Sequence, residues 1–450
     1  MKHRAYRLFA ISLTLIVLAA FLMASCSLGK KPSDPSHTAG TSTGASPTPA
    51  STVPPEEHNG EGAQEDPIIP SDKRIHDLMD SMTLEEKIGQ MLFLAYRWNQ
   101  DGGNVLEMDD VLEDTLSIYA PGGFVLFSEN IESIEQTVAL IDGLQAQSKI
   151  PLFISVDEEG GLVTRLNKAP ELHSTTMPDA YTIGLTNKPE YAYLAARAIG
   201  AEISSLGFNM DFAPVADIFS NPENKVIGRR AYGTEPQLVS DMVSKAVAGF
   251  SDQNIIPVLK HFPGHGDTSE DTHTGAAWVD HDLERLMSFE LIPFQEGIEA
   301  GADAVMVAHI ILPKLMDDPV PATLSKEVVT GILREKLMFD GVIITDAMEM
   351  SAVSAYYEDD EAAVMAVLAG IDMILMPRSV EEAFCAILSA VEKGVITEER
   401  IDESVYRILR LKEKYGILDS SIQGPDPELT LGSPEHKALV QEIKNASKKD

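Results

Sequence analysis

The chain has 450 residues, of which 70 are Asp or Glu and 35 are Lys or Arg, so its formal net charge at pH 7 is −35. So acidic a surface repels phosphate backbones and anionic headgroups, which argues against nucleic acid or acidic lipids as partners. The length and the 44% hydrophobic content allow a large buried core in one to three domains.

The first 25 residues predict a signal peptide. Lys2, Arg4 and Arg7 give a basic start, residues 8–23 are mostly apolar, and small residues precede Cys26. The apolar stretch is shorter than a typical membrane span and ends in a small-residue cleavage pattern. It resembles a bacterial lipoprotein signal, in which Cys26 is lipidated and becomes the mature N-terminus; an uncleaved anchor helix is the alternative. We expect an exported protein of net charge −38, anchored by lipid at the outer face of the bacterial cell membrane.

Residues 26–72 predict a disordered tether. They are rich in Ser, Thr, Pro, Gly and Ala, with too few large apolar side chains to bury a core. Such a segment holds a domain away from a membrane. The only cysteine after Cys26 is Cys385, so no intramolecular disulfide is expected.

Residues 73–418 predict an α/β domain of eight strand–helix repeats. A capping-box pattern, Thr83-Leu84-Glu85-Glu86, opens the first helix. The short apolar runs lie at 91–95, 123–127, 152–156, 208–213, 255–259, 304–308, 342–345 and 373–376. Amphipathic segments between them lie at 190–206, 238–252, 326–337 and 380–393. Strands alternating with helices indicate parallel pairing, and eight repeats favour a (β/α)8 TIM-type barrel over an open doubly wound sheet, which remains the alternative.

The C-terminal part begins with a strongly amphipathic helix at 397–415, capped by Thr397 and followed by Gly416. Residues 419–450 predict a tail, with one more helix at 435–447.

Acidic residues follow the ends of the predicted strands. Active sites of this type of barrel lie at the C-terminal ends of the strands. Asp346 directly follows the seventh apolar run, and Asp157 follows the third. Apolar surroundings and nearby cations are how an enzyme tunes a carboxylate, which favours catalysis for Asp346 and binding of a polar ligand for Asp157. The alternative for Asp346 is a helix N-cap, and the alternative for Asp157 is a cap or turn residue.

The fifth run leads into a loop, residues 260–273, with the sequence Lys-His-Phe-Pro-Gly-His-Gly-Asp-Thr-Ser-Glu-Asp-Thr-His. Its possible metal ligands are His261, His265, Asp267, Asp271 and His273. No zinc-type spacing is present, so a metal site is the weaker interpretation. Asp271 and His273 instead predict a dyad, in which the carboxylate orients the ring and raises its basicity for general acid/base work. For His265 a structural role in loop hydrogen bonding is favoured.

Together these segments resemble family 3 glycoside hydrolases, and within them the β-N-acetylglucosaminidase (β-N-acetylhexosaminidase) branch. The resemblance covers most of residues 73–418. The motifs that carry it lie at 122–127, 157–165, 211–217, 224–233, 260–273 and 345–348. Each is weak alone, but their order and spacing together are specific.

The resemblance implies a retaining mechanism without a cofactor or metal. Asp346 would be the nucleophile that forms a covalent glycosyl–enzyme intermediate. His273, oriented by Asp271, would replace the second carboxylate of most retaining glycosidases. The residues that would hold a terminal N-acetylglucosamine are Asp157, Arg165, Arg230, Lys260 and His261. Charged groups suit that role because they give charge-assisted hydrogen bonds to vicinal hydroxyls. Met348 would meet the sugar face or the acetamido methyl.

Four places depart from the family pattern. Glu158 stands where Gln is frequent, Leu162 where Arg is frequent, and Arg229 where an acid is usual, while residues 275–278 replace a Leu-Pro pair. These departures leave the aglycone open. The chain also stops where two-domain relatives continue, so the helix at 435–447 resembles the one that leads into their second domain.

We expect an exo-β-N-acetylglucosaminidase that removes terminal N-acetylglucosamine from peptidoglycan fragments. A phosphorylase of the same family, a β-glucosidase and a non-catalytic wall-binding lipoprotein are the alternatives.

Overall fold

The computed structural model describes residues 71–268, 275, 277–316, 319–419 and 424–448. Its central feature is a closed sheet of eight short parallel strands. These are β1 (Leu92–Leu94), β2 (Gly123–Val125), β3 (Phe153–Val156), β4 (Met210–Asp211), β5 (Ile256–Phe262), β6 (Ala304–Val307), β7 (Val342–Thr345) and β8 (Ile374–Leu375). They pair in the order 8-1-2-3-4-5-6-7, and a parallel bridge between Ile344 and Met373 joins β7 to β8. The eight predicted strands and the barrel are confirmed, and the open-sheet alternative is wrong because β8 pairs on both sides.

The strands are short and apolar because they are buried both inside the barrel and beneath the surrounding helices. In register, Phe93 of β1 pairs with Gly123 of β2, which pairs with Phe153 of β3. A Cβ atom on Gly123 would lie 2.9 Å from the Phe93 ring and 2.9 Å from the Phe153 carbonyl oxygen. Glycine at this position therefore lets two aromatic rings share the barrel interior.

Helices follow the strands around the outside. The α-helices are Ser71–Ser81, Leu84–Gln90, Asp110–Tyr119, Ile134–Gln147, Ala180–Gly184, Pro189–Ser205, Pro236–Ser251, Leu283–Ser288, Ile292–Glu299, Ser351–Ser354, Asp359–Ala369, Val380–Glu392, Glu398–Lys414, Pro427–Thr430 and Pro434–Ala446. Helix Glu327–Lys336 has π-type hydrogen bonding. Short 3₁₀ turns lie at Ser128–Asn130, Leu166–Lys168, Pro170–Leu172, Gly228–Arg230, Ala322–Leu324 and Ile417–Asp419. Two further short strands, Ala277–Trp278 and Ile310–Ile311, pair in parallel outside the barrel.

The predicted caps are present. Thr83 Oγ1 accepts the N–H of Glu86 at 3.3 Å, and the Thr83 N–H donates to Glu86 Oε2 at 3.0 Å. Thr397 Oγ1 accepts the N–H of Arg400 at 3.2 Å at the start of the long C-terminal helix. Side chains that satisfy the free N–H groups of a first helical turn fix where the helix begins.

The long helix Glu398–Lys414 seals the N-terminal end of the barrel. Its Lys412 is fully buried, donates to Gln90 Oε1 at 2.8 Å, and lies 5.0 Å from the centre of the Phe153 ring. Beside it, buried Asp372 accepts the Ser404 hydroxyl at 2.7 Å and forms an ion pair with Arg334. Because this end is closed by packed side chains, access to the barrel axis is from the opposite end.

Residues 424–448 pack against helix Pro189–Ser205. Buried Glu202 in that helix accepts the N–H of Gly432 at 3.0 Å and His436 Nδ1–H at 2.8 Å, and its second oxygen accepts the N–H of Thr175 at 2.9 Å. The helix predicted near 435–447 is present as Pro434–Ala446.

The predicted signal peptide, its lipidation site Cys26 and the tether up to residue 70 lie outside the described residues. Among the helices of the described part of the chain, none combines the length and the apolar character needed to cross a bilayer.

Candidate active site

A cavity of about 300 Å³ opens at the C-terminal end of the barrel strands. It is lined by six of the side chains that the sequence analysis singled out. These are Asp157, Arg165, Arg230, Lys260, His261 and Asp346. Asp271 and His273, the predicted acid/base pair, lie outside the described residues. Segments separated by up to 189 positions in the sequence thus bring their charged groups to one place. Three of them are the segments after β3, β4 and β7. The fourth is β5, which runs to Phe262, so Lys260 and His261 lie in the strand and not in a loop that begins at residue 260.

Lys260 is the centre of the charged network. Its side chain is only 2% exposed, and its Nζ lies 2.8 Å from Asp157 Oδ1 and 2.6 Å from Glu159 Oε1. Burial lowers its pKa, but the two carboxylates outweigh that effect and hold the pKa above its usual value. Lys260 therefore carries a fixed positive charge at the base of the cavity.

Arginines complete the network on both sides. Arg165 donates to Asp157 Oδ2 at 3.1 Å, and Arg230 binds Glu159 through two hydrogen bonds of 2.8 and 2.9 Å. Burial raises the pKa of Asp157 and of Glu159, but the neighbouring cations hold both below their usual values. Positive and negative groups thus alternate through five side chains. Each Asp157 oxygen keeps a lone pair for a ligand hydroxyl, since a carboxylate has about four acceptor positions.

His261 is held as a single tautomer. Its Nε2 lies 3.1 Å from an Arg230 nitrogen, and its Nδ1 lies 2.7 Å from Asp217 Oδ2. A guanidinium can only donate, so Nε2 is the acceptor and the proton sits on Nδ1. Asp217 is fully buried and also accepts the N–H groups of His261 at 3.2 Å and His265 at 2.6 Å. Burial raises the pKa of Asp217, and the interactions with His261 and His265 lower it below the usual range.

Asp346 follows β7 and faces the cavity as an ionised carboxylate. Burial raises its pKa, but His309, His261 and the N–H of Ala347 together bring it below its usual value. Its Oδ1 accepts that N–H at 2.8 Å. The next helix begins at Ser351 with Met350 as its N-cap, so the alternative of a helix cap for Asp346 is wrong.

His309 supports the turn that carries Asp346. It is fully buried; its Nε2–H donates to the Ala347 carbonyl at 3.0 Å, and its Nδ1 lies 2.8 Å from the Thr323 hydroxyl. The sequence analysis gave it no role, although it directly follows the sixth predicted strand.

Apolar side chains form the remaining walls. They include Val125, Phe127, Phe212, Met306, Met350, Leu375 and Met376. Met348, which the resemblance suggested as a contact to the sugar, is instead buried in the hydrophobic core with 3% exposure. Met350, two residues after Met348, lines the cavity instead.

Glu159, Arg97 and Glu349 were not among the predicted site residues. Glu159 was inside a quoted motif, but its importance comes from Arg230, 71 positions away. Arg97 and Glu349 form an ion pair across the cavity mouth, from the loops after β1 and β7. Their positions just beyond strand ends are a signal that could have found them.

Two of the possible metal ligands in residues 260–273 are engaged in hydrogen bonds with neighbouring side chains. His265 Nδ1 lies 2.9 Å from the Thr268 hydroxyl, and Asp267 binds His281 Nε2 at 2.9 Å and the Ser220 hydroxyl at 3.1 Å. Within the described ranges, no three His, Cys, Asp or Glu side chains are grouped so that they could hold a metal ion. The hydrogen bonds of His265 agree with the structural role expected for it.

Glu158 is buried and binds the turn that carries Arg165, a residue of the cavity wall. Its Oε2 accepts the N–H groups of Arg165 at 2.7 Å and Leu166 at 3.1 Å, and its Oε1 accepts the Thr164 hydroxyl. Burial raises the pKa of Glu158 to about 7, although these hydrogen bonds oppose the shift. The side chain therefore fixes the turn that presents Arg165.

We expect Glu158→Gln to stabilise the protein increasingly as pH rises. The folded state retains the Glu158 proton up to about pH 7, whereas the unfolded chain releases it near pH 4.5, so the contribution of Glu158 to stability falls through this window. Glutamine keeps the acceptor for both N–H groups and never ionises. Its advantage in the free energy of unfolding should reach about 1–3 kcal/mol at pH 8, fall below about 1 kcal/mol at pH 5, and vanish below about pH 4.

Thermal denaturation of both forms at pH 5 and pH 8 measures this difference. A variant whose advantage is the same at both pH values would show that Glu158 does not titrate in this range.

Comparison with known proteins gives a consistent result. A sequence profile of the Glycosyl hydrolase family 3 N terminal domain matches residues 83–411. The chain is 34% identical over 399 residues to Beta-hexosaminidase A of Pseudoalteromonas piscicida, covering 80% of this chain and 66% of that protein. It is 30% identical over 411 residues to Beta-hexosaminidase LpqI of Mycobacterium tuberculosis, covering 90% and 97%.

Among solved structures, the chain is similar to a glycoside hydrolase family 3 β-N-acetylglucosaminidase from Paenibacillus sp. str. FPU-7. The TM-score is 0.75 at 41% identity, covering 82% of this chain and 69% of that one. The chain spans just under two thirds of the length of the Pseudoalteromonas relative.

Proposed function

The chain belongs to glycosyl hydrolase family 3, and from that premise we propose that it is a retaining exo-β-N-acetylglucosaminidase. The observation that carries the proposal is the cavity at the strand ends, where Asp346 meets the network of Asp157, Lys260, Arg165 and Arg230. The similarity to proteins named β-hexosaminidase and β-N-acetylglucosaminidase supports the acetamido sugar.

The charged network would bind the terminal sugar by its hydroxyls. Lys260 donates, Asp157 accepts, and the arginines fix the positions of both carboxylates, so vicinal hydroxyls meet preoriented partners. The apolar walls would accept the C–H face of the ring and the acetamido methyl. A cavity of about 300 Å³ would accept one terminal sugar, which would limit cleavage to single units at a chain end.

Asp346 would act as the nucleophile. One of its oxygens forms a bond to C1 while the C1–O bond to the leaving group breaks and its electron pair stays on that oxygen. His273, oriented by Asp271, donates the proton that the leaving oxygen needs. In the second step His273 takes a proton from water, the water oxygen bonds to C1, and the electron pair of the C1–Asp346 bond returns to the carboxylate.

The natural substrates would be peptidoglycan fragments that end in N-acetylglucosamine. A lipid anchor at Cys26 would hold the enzyme at the outer face of the membrane, close to that polymer. The strong negative charge agrees with a partner that is a glycan and not a nucleic acid.

Hydrolysis of a panel of aryl glycosides, with and without phosphate, tests the proposal. The N-acetylglucosaminide should be cleaved at least about tenfold faster than the N-acetylgalactosaminide and the glucoside, because the sites for hydroxyls and for the acetamido group act together. Free N-acetylglucosamine should be the product in both buffers. A sugar 1-phosphate would show a phosphorylase, preference for the glucoside would show a β-glucosidase, and no turnover would show a binding protein.

A further inference from the structure

Trp98 is a large apolar side chain left in solvent at the active end of the barrel. It lies four residues beyond β1, and 51% of it is exposed. An indole ring is expensive to leave in water, so exposed tryptophans are concentrated where a partner covers them.

The loop that carries Trp98 is rigidly built. The Asn99 N–H donates to the Gly103 carbonyl at 2.8 Å, and Asn99 Oδ1 accepts the N–H groups of Asp101 at 3.1 Å and Gly103 at 2.8 Å. Buried Asn130 closes the base of the loop by donating to the carbonyls on either side, at 2.8 and 2.9 Å. The exposure of the ring is therefore held in place by the fold.

One face of the indole is anchored to the cavity wall. The Arg97 guanidinium lies 4.6 Å from the centre of the Trp98 ring and 4.8 Å from the centre of the Phe127 ring, and it forms an ion pair with Glu349. Arg97, Phe127 and Glu349 all line the cavity. Trp98 thus borders the mouth, with one face against Arg97 and the rest of the ring open.

Within the described residues, a second sugar would extend out of the cavity toward this rim. The cavity volume of about 300 Å³ lies at the low end of small-molecule sites, and Asp346 and the charged network occupy its walls. We propose that the open face of Trp98 is a platform for the sugar ring on the leaving-group side of the scissile bond.

This role of Trp98 depends on the proposed function and adds a substrate class to it. Natural substrates would be oligosaccharides, whose second ring presents C–H groups to the indole, in preference to glycosides of small alcohols. Trp98 would set specificity and would not take part in bond breaking.

Kinetics with two substrates of similar leaving-group chemistry test the platform. We expect Trp98→Ala to lower kcat/KM for N,N′-diacetylchitobiose by about tenfold, the size of an aromatic stacking contact, mainly through KM. Methyl β-N-acetylglucosaminide, whose aglycone is too small to cover the ring, should change less than about twofold. Trp98→Phe keeps an aromatic face and should restore most of the loss.

Fluorescence gives a readout without turnover. The chain has two tryptophans, so in Trp278→Phe all tryptophan fluorescence comes from Trp98. With Asp346→Asn to prevent cleavage, N,N′-diacetylchitobiose should change that emission, and N-acetylglucosamine should not.

Two outcomes would overturn the platform alone: equal losses on both substrates, or no loss on either, when the wild-type enzyme cleaves both. If the wild-type enzyme cleaves neither substrate, the proposed function fails, and the platform fails with it.

Discussion

Asp346→Ala is expected to lower kcat/KM on every N-acetylglucosaminide by about a thousandfold or more, because the variant lacks the carboxylate that we propose forms the bond to C1. The wild-type carboxylate is kept ionised by His309, His261 and the Ala347 N–H against the effect of its burial. Removing it would take away both the proposed nucleophile and a negative charge that would face the developing positive charge at C1. The measurement is steady-state hydrolysis of an aryl N-acetylglucosaminide.

Two comparisons make this prediction specific. Asp346→Asn keeps the shape and the acceptor for the Ala347 N–H, so it should remain folded and equally inactive. Azide is small enough to enter the space left by Asp346→Ala, and it should restore turnover with formation of the α-glycosyl azide. If Asp346→Asn retains activity within about tenfold of the wild type, the nucleophile lies elsewhere.

Lys260→Met is expected to reduce activity by about a hundredfold and to destabilise the fold by about 3–5 kcal/mol at neutral pH, since it removes one partner from a buried ion pair. Asp157 and Glu159 would lose their shared cation at 2.8 and 2.6 Å. Arg165 and Arg230 would then be the remaining cations bound to the two carboxylates, and Asp157 would lose the orientation that we propose it needs to bind the sugar. Chemical denaturation and kinetics measure the two effects.

The destabilisation should depend on pH. In the wild type the pKa values of Asp157 and Glu159 are lowered, so their stabilising contribution is present at neutral pH and is lost as pH falls through those values. Without Lys260 less is lost on acidification, so the gap between variant and wild type should be constant near neutral pH and narrow as pH falls from about 5 to 3.

Lys314→Met is the matched control for Lys260→Met. Lys314 forms a solvent-exposed ion pair with Asp280, and such pairs contribute little. It should change stability by less than about 0.5 kcal/mol. Equal effects of the two variants at neutral pH would mean that the network around Lys260 is not held together by that lysine.

The barrel was predictable because its signal is local. Each strand is a short apolar run, each helix has its own period, and caps such as Thr83 mark where helices begin. The location of the site followed from the same pattern, since parallel strands bring their C-terminal ends together. Asp157, Lys260 and Asp346 were found in this way.

What the sequence did not predict depends on contacts between distant segments. Glu159 joins Lys260 to Arg230, and Asp217 fixes the His261 tautomer, but neither partnership leaves a local pattern. Met348 was misplaced because the turn after Asp346 does not continue the alternation of β7. The position of Trp98 beside the cavity also follows from such contacts. Its ring packs against Arg97, and Arg97 forms an ion pair with Glu349 from the loop after β7.

Trapping the sugar on the enzyme tests most directly whether Asp346 is the nucleophile. The full chain would be incubated with a fluorinated N-acetylglucosaminyl donor that reacts quickly in the first step and slowly in the second, then digested and examined by mass spectrometry. We expect one glycosyl group on the peptide that contains Asp346, and none after Asp346→Asn. A label on another carboxylate, with the Asp346 peptide unmodified, would contradict this role of Asp346.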